Sequence, residues 1–230
     1  MNLAIIGYGK MGCLIEQLAP EYGFAVGLKL RGDDNRNFQG LSRDSLRGVD
    51  VAVEFSTASS AVGNIERLAD LGVNAVVGTT GWFDRLEQAR SVVERSGTGL
   101  VWSPNYSVGV HLFSQIVSQA AQLLARESDY GAWAWEIHHA AKKDATSGTL
   151  LALIEEMKRS GYDRPISTAS NRAGAVPGTH EIGFDSPADA ITLRHTARSR
   201  DGFARGALRA ARWVVGKKGF FSFREIVHEL

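Results

Sequence analysis

Along the first 107 residues, short apolar runs alternate with stretches whose apolar positions recur at helical spacing. The runs "LAIIG", "FAVGLKL", "VDVAVEF", "VNAVVGTT" and "GLVWSP" predict strands, and residues 10–22, 58–71 and 82–96 predict helices between them. The runs are apolar at consecutive rather than alternate positions, as expected for parallel strands covered on both faces. Alternation of such strands with helices predicts a doubly wound sheet.

The texture changes after Pro104. Residues 108–126 predict one long helix with Val110, Phe113, Val117, Ala120, Ala121 and Leu124 on its apolar stripe. Strand-like stretches follow at 130–139, 166–172, 179–185 and 190–197, with a helix over 147–160 among them. This predicts a second domain of α+β type on a mixed sheet. The last helical pattern, "DGFARGALRAARWVVG", is expected to return to the first domain. Residues 1–107 with 201–230 are therefore expected to form one domain and residues 108–200 the other, closely joined because no flexible linker separates them.

Composition narrows the class without choosing a function. The chain has 230 residues, 44% hydrophobic and 22% charged, as an ordinary globular protein has. No apolar run approaches the ~20 residues of a membrane span and no basic region precedes the first apolar stretch, so a cytoplasmic protein without a membrane partner is expected. The 26 basic and 25 acidic side chains are spread along the chain, which argues against a nucleic-acid partner. A single cysteine, Cys13, excludes an internal disulfide and a multi-cysteine metal site, and it reads as a core residue.

"IIGYGKMG" runs a strand into Gly7, Gly9 and Gly12 at G-x-G-x-x-G spacing and then into a helix. Glycines there let backbone N–H groups and a helix N-terminus approach a pyrophosphate. The same spacing also makes ordinary tight turns; its place at the start of a βαβ run favours a Rossmann-like dinucleotide site. At the end of the second strand, where an acid usually meets the ribose of NAD, stand Lys29 and Arg31. Two cations suit a 2′-phosphate, hence NADPH, while Asp33 and Asp34 just beyond leave NADH open. "EFSTAS" and "VGTTGW" place hydroxyls and glycines at two further strand ends, on the edge where open α/β sheets bind ligands, although Thr57, Thr79 and Thr80 would also serve as helix caps.

The densest chemistry lies in "HHAAKKDATSGT", residues 138–149, at a strand-to-helix junction. Neighbouring strand residues face opposite ways, so His138 and His139 do not share one metal ion, and no metal site is expected. Ser147 reads as an N-cap that leaves the N–H groups of Gly148 and Thr149 open to an anion. Lys142 adds a positive charge. The cluster reads as a carboxylate receptor with an imidazole proton donor beside it.

In order along the chain, "GYGKMG", "VEFSTAS", "GTTGW", "SPNYSVGVHLF", "EIHHAAKKDATSGT", "RAGAVPGTHEIGF" and "ITLRHTARSRDGFARGALRAARWV" resemble the 4-hydroxy-tetrahydrodipicolinate (dihydrodipicolinate) reductase family of lysine and diaminopimelate biosynthesis. The resemblance covers nearly the whole chain and implies a Rossmann-like nucleotide domain, NAD(P)H as cofactor and a cyclic dicarboxylate as substrate. It implies His138 as proton donor or acceptor and Lys142 as a second acid, with His139, Ser147, Gly148 and Thr149 as substrate contacts. For the cofactor it implies Gly7, Gly9, Lys10, Met11 and Gly12 at the pyrophosphate and Lys29 and Arg31 near the adenosine ribose. Gly78, Thr79 and Thr80 fall at the nicotinamide ribose, and Ser103, Pro104, Asn105 and Tyr106 fall over the nicotinamide.

The implied chemistry is hydride delivery to C4 of an unsaturated cyclic imine and protonation at C3; a homotetramer built through the second sheet is implied as well. Thr146 stands where the family has a proline, Thr179 where it has an acid, and residues 160–172 are compact. A related NADP-linked dehydrogenase of amino or oxo acids, and a non-catalytic NADPH-sensing protein, are the other classes compatible with the motifs.

Overall fold

In the computed structural model, which describes residues 1–230, the chain opens with β1 (Asn2–Ile6), α1 (Lys10–Leu18) and β2 (Ala25–Leu30). It continues through β3 (Val51–Glu54), α2 (Ala58–Asp70), β4 (Asn74–Val77), α3 (Leu86–Ser96) and β5 (Gly99–Trp102). The helix predicted over 10–22 ends as an α-helix at Leu18 and finishes as a 3₁₀ turn, because Pro20 has no N–H to continue the ladder. Gly23, with φ 75°, turns the chain into β2. Cys13, expected in the core, is exposed. α1 buries Gly12, Ile15 and Leu18, and Cys13 lies off that stripe.

The second stretch contains α4 (Val108–Leu124), β6 (Gly131–His138), α5 (Gly148–Arg159), β7 (Ile166–Arg172), β8 (Thr179–Asp185) and β9 (Ala190–Thr196). These strands form a mixed sheet in the order β7-β6-β8-β9, parallel between β6 and β7 and antiparallel elsewhere. On β6 the small and polar residues Ala132, Ala134, Glu136 and His138 are buried, whereas Trp133, Trp135 and Ile137 are half-buried on the opposite face. Ala132 and Ala134 pack with Ile182 and Phe184 against Phe113, Val117 and Leu124 of α4 and Leu150, Leu153 and Met157 of α5. The inward face is thus apolar at one end of β6 and ionisable at the other.

The chain then forms α6 (Asp201–Val214), β10 (Gly219–Ser222) and α7 (Phe223–Ile226). The sequence pattern did not predict β10: "GFFS" is too short to show a period. It pairs in parallel with β5 and completes a six-stranded sheet, β10-β5-β4-β3-β1-β2. Alternate strand residues divide between two cores. Leu3, Ile5, Val51 and Val53 meet α1 and α6, while Ala4, Ile6, Ala52 and Val77 meet α2 and α3. Two compact units result, Met1–Val108 with Asp201–Leu230, and Gly109–Arg200. No helix is long and apolar enough to cross a membrane.

Candidate functional site

The glycine turn stands where strand order reverses, since β1 lies between β2 and β3 and the chain passes to opposite sides of it. Gly7 has φ 90°, and a Cβ there would come within 2.2 Å of the Phe55 carbonyl oxygen. A Cβ on Gly12 would come within 2.7 Å of the Gly7 oxygen. These two glycines are required by the chain's own close approaches. Gly9 differs, because a Cβ there would meet nothing within 4 Å. Gly9 also caps α1 without a side-chain hydrogen bond, so the helix presents its N-terminal amides beside open space. That shape fits a dinucleotide pyrophosphate. Lys10 is exposed next to the turn, and Met11 packs on the core beneath it.

At the end of β2 the two cations differ. Lys29 donates to Glu16 at 2.9 Å, and its ammonium lies 5.2 Å from the Tyr8 ring centre. Glu16, which also accepts from the Tyr8 hydroxyl, is held below its ordinary pKa chiefly by Lys29. That bond to Glu16 pushes the Tyr8 hydroxyl up to about 12. The Arg31 guanidinium lies 5.7 Å from the same ring centre and has no carboxylate partner. Asp34 accepts from the Arg31 N–H at 3.0 Å, and Asp33 pairs with Arg36 at 2.8 Å.

Parallel register sets Ile6, Glu54 and Val77 level, so the ends of β1, β3 and β4 share one sheet edge. Glu54 is buried there and accepts from Ser56 and from Asn64 at 3.1 Å. Burial raises its pKa. Thr79 is buried and accepts from the Ser56 N–H at 2.8 Å, while Thr80 is exposed. Gly78 admits the Phe55 ring, which a Cβ would approach to 2.1 Å. Ser103 and Asn105 close a turn by donation from Ser103 Oγ to the Asn105 carbonyl at 2.6 Å, and Pro104 is exposed on it. Tyr106 is a core strut whose hydroxyl lies 2.9 Å from the Val77 and Val101 carbonyl oxygens.

The second unit gathers the remaining chemistry around a residue that sequence reading did not single out. Glu136, fully buried on β6, accepts from the Ser147 N–H at 2.8 Å, from Arg172 at 2.9 Å and from Ser170 at 3.0 Å, all through Oε1. Its Oε2 lies 3.2 Å from His138 Nδ1 and 3.6 Å from His180 Nε2. Burial alone would raise its pKa; the bonds from Ser147, Arg172 and Ser170 outweigh it and hold the carboxyl at about 2. His138 is lowered by burial, partly offset by Glu136. His180 falls to about 4, mainly through burial and then through the charge of His138.

Ligand atoms of Glu136, His138 and His180 lie within 4.8 Å of one another. With Arg172 already neutralising the carboxylate, the physical reading is an ionic hydrogen-bonded cluster.

Ser147 caps α5, its Oγ accepting from the Leu150 N–H at 3.2 Å, so the N–H groups of Gly148 and Thr149 sit at the positive helix end. The turn that carries Thr146 is tied to β6 by the bond from the Ser147 N–H to Glu136. Lys142 holds Asp144 through both carboxylate oxygens at 2.8 Å. His139 follows the strand end and is half-buried. Thr179 is buried and pairs across strands with Thr196 at 3.3 Å. Glu136, Arg172 and His180 lie on three strands, and only Glu136 left a signal in the sequence: a charge two positions before His138, on the same strand face.

A parallel sheet with a glycine turn at its switch point, and a mixed sheet carrying imidazoles, a lysine and a capped helix, define the class of two-unit nucleotide-binding oxidoreductases. Profiles described as "Dihydrodipicolinate reductase, N-terminus" and "Dihydrodipicolinate reductase, C-terminus" match residues 1–106 and 109–227. The chain belongs to the dihydrodipicolinate reductase family. It is 32% identical over 242 residues to the 4-hydroxy-tetrahydrodipicolinate reductase of Christiangramia forsetii, covering 100% of this chain and 99% of that protein. It is 32% identical over 264 residues to the enzyme of that name from Archaeoglobus fulgidus, covering 99% and 100%. In fold it resembles a dipicolinate-bound dihydrodipicolinate reductase from a Paenisporosarcina species, with a TM-score of 0.82 at 21% identity over 100% of this chain and 99% of that one.

Proposed function

We propose that the chain reduces 4-hydroxy-tetrahydrodipicolinate to tetrahydrodipicolinate, with NADPH preferred over NADH. The observation that carries this reading is the junction of β6 and α5, where an imidazole, an ammonium and a positive helix end converge within twelve residues of sequence. A dianionic ring needs two cationic holds. The N–H groups of Gly148 and Thr149, with the Ser147 cap and His139, take one carboxylate. Lys142 takes the other by exchanging its partner Asp144 for substrate. Asp144 is exposed, so the ion pair that the substrate carboxylate replaces contributes little and the exchange costs little.

The cofactor supplies a hydride when bound; the chain's own part is to hold substrate and deliver a proton. His138 donates it and Lys142 serves as the second acid, and the protonated imidazole stabilises negative charge developing on the ring. Gly7, Gly9, Lys10, Met11 and Gly12 receive the pyrophosphate. Gly78, Thr79 and Thr80 position the nicotinamide ribose, and the Ser103–Tyr106 turn lies over the nicotinamide. Arg31, the cation without a carboxylate partner, takes the 2′-phosphate; Lys29 contributes less because Glu16 already holds it.

The test is oxidation of NADPH and NADH in the presence of dihydrodipicolinate. Consumption of NADPH at the lower KM is expected, and a protein that binds NADPH yet never oxidises it overturns the assignment. Arg31→Ala is expected to raise the KM for NADPH roughly 10- to 100-fold, the loss of one charge-assisted contact, while leaving that for NADH nearly unchanged.

A further inference from the structure

The imidazole assigned as proton donor has two unlike nitrogens. Nδ1 of His138 is fully buried and makes no hydrogen bond, nor does Oε2 of Glu136, and the two unsatisfied atoms lie 3.2 Å apart as an ion-pair contact. Nε2 lies over Gly178, where φ is 149° and a Cβ would come within 2.9 Å of that nitrogen. Any side chain at 178 would fill the space into which the ring must pass its proton. His180 packs edge-on against the ring, with centroids 5.1 Å apart. The same Glu136 carboxylate holds the Ser147 N–H through its other oxygen, so one buried anion touches both the proton donor and the turn that opens the anion-binding helix.

We propose that Glu136 is a positioning residue for the reaction: its Oε2 fixes the Nδ1–H form of His138, leaving Nε2 as the nitrogen that exchanges the proton, while its Oε1 keeps the Ser147–Gly148–Thr149 turn in register with that ring. The proposal rests on the functional reading above. The reason is the one that governs any imidazole acid: the ring nitrogen that carries the proton is chosen by what the other nitrogen bonds. When Nε2 has given its proton, the ring is left neutral with its remaining hydrogen on Nδ1, the nitrogen 3.2 Å from the Glu136 carboxylate. Arg172 and the Ser147 N–H keep Glu136 ionised for that purpose. The charged and titratable groups facing His138 are Glu136 on its own strand, Arg172 on β7, His180 on β8, and Lys142 with Asp144 on the following loop.

The experiment is ¹⁵N NMR of the imidazoles in the full-length wild type and in Glu136→Gln, the His138 signals being assigned by their loss in His138→Gln. Wild type is expected to show neutral His138 protonated at Nδ1. Glu136→Gln keeps an oxygen for Ser147, and is expected to lose the Nδ1–H preference and to titrate His138 about one pH unit lower, because a neighbouring opposite charge is gone. Its kcat should fall about 100-fold or more with the pH profile displaced in the same direction, and dipicolinate binding measured by calorimetry should change little. A neutral wild-type ring protonated at Nε2 overturns the proposal without need of any variant. So does a Glu136→Gln protein that retains kcat, or one that loses dipicolinate binding and thermal stability while the His138 ring is unchanged. If wild type oxidises no cofactor with dihydrodipicolinate, the reductase reading fails, and the ring-nitrogen measurement still decides the role of Glu136.

Discussion

Glu136 shows how a charge is kept in a protein interior. Three donors converge on one oxygen and hold the carboxyl at about 2, against an ordinary 4.5. A depressed carboxyl contributes its stability fully above the unfolded value and loses it as pH falls through the folded one. The loss should therefore run from about pH 4.5 down to 2 and amount to about 3 kcal/mol. His180, lowered from 6.5 to about 4, acts at higher pH. The unfolded chain binds its proton first, so stability begins to fall below pH 6.5 and the loss is complete near 4. Urea midpoints measured against pH should show both limbs, and His180→Gln should shrink the upper one without abolishing it, because burial lowers His138 and His195 as well. Lys142 is the opposite case: its partner Asp144 is exposed, so the pair contributes little to stability. Lys142→Ala is expected to lower kcat about 100-fold or more while the thermal midpoint barely moves; near-normal turnover would remove Lys142 from the mechanism.

Elements place these residues, and some of that placement was legible in advance. The strand ends of the parallel sheet and the cap of α5 follow from local signals: an apolar run that stops, glycines at fixed spacing, a serine before a helical pattern. Gly206 on α6 was not legible. Mid-helix glycine reads as a weakness in a sequence, yet here a Cβ would come within 1.8 Å of the Tyr106 carbonyl oxygen. The helix lies that close to the turn after β5. Gly206→Ala is expected to cost about 2–3 kcal/mol by overpacking, read as a lower chemical-denaturation midpoint, although alanine is the better helix former. β10 escaped for a different reason. Four residues carry no period, and parallel pairing with β5 depends on the far end of the chain returning to the sheet.

For the whole molecule, the second sheet keeps one face outside its core. Trp133 lies over Gly183, where a Cβ would meet the indole at 2.0 Å, and Trp135 donates to Asn171 at 2.6 Å. With Ile137 these rings give a half-buried aromatic surface on regular strands, through which we propose that like chains associate. Sedimentation is expected to give a mass near four chains, and Trp135→Glu to give smaller species; a monomeric wild type would refute a tetramer.

The chain by itself determined the order of strands and helices as far as α6, the glycine turn and the twelve-residue cluster of histidine, lysine and serine, because each is set by neighbours a few residues apart. Tertiary structure decided what those residues can do. Strand pairing brought Glu136, Arg172 and His180 to one face from three strands, and a register is a property of two segments together. It also left Arg31 without the carboxylate partner that Lys29 has in Glu16, a difference of side-chain placement that no spacing in the sequence records.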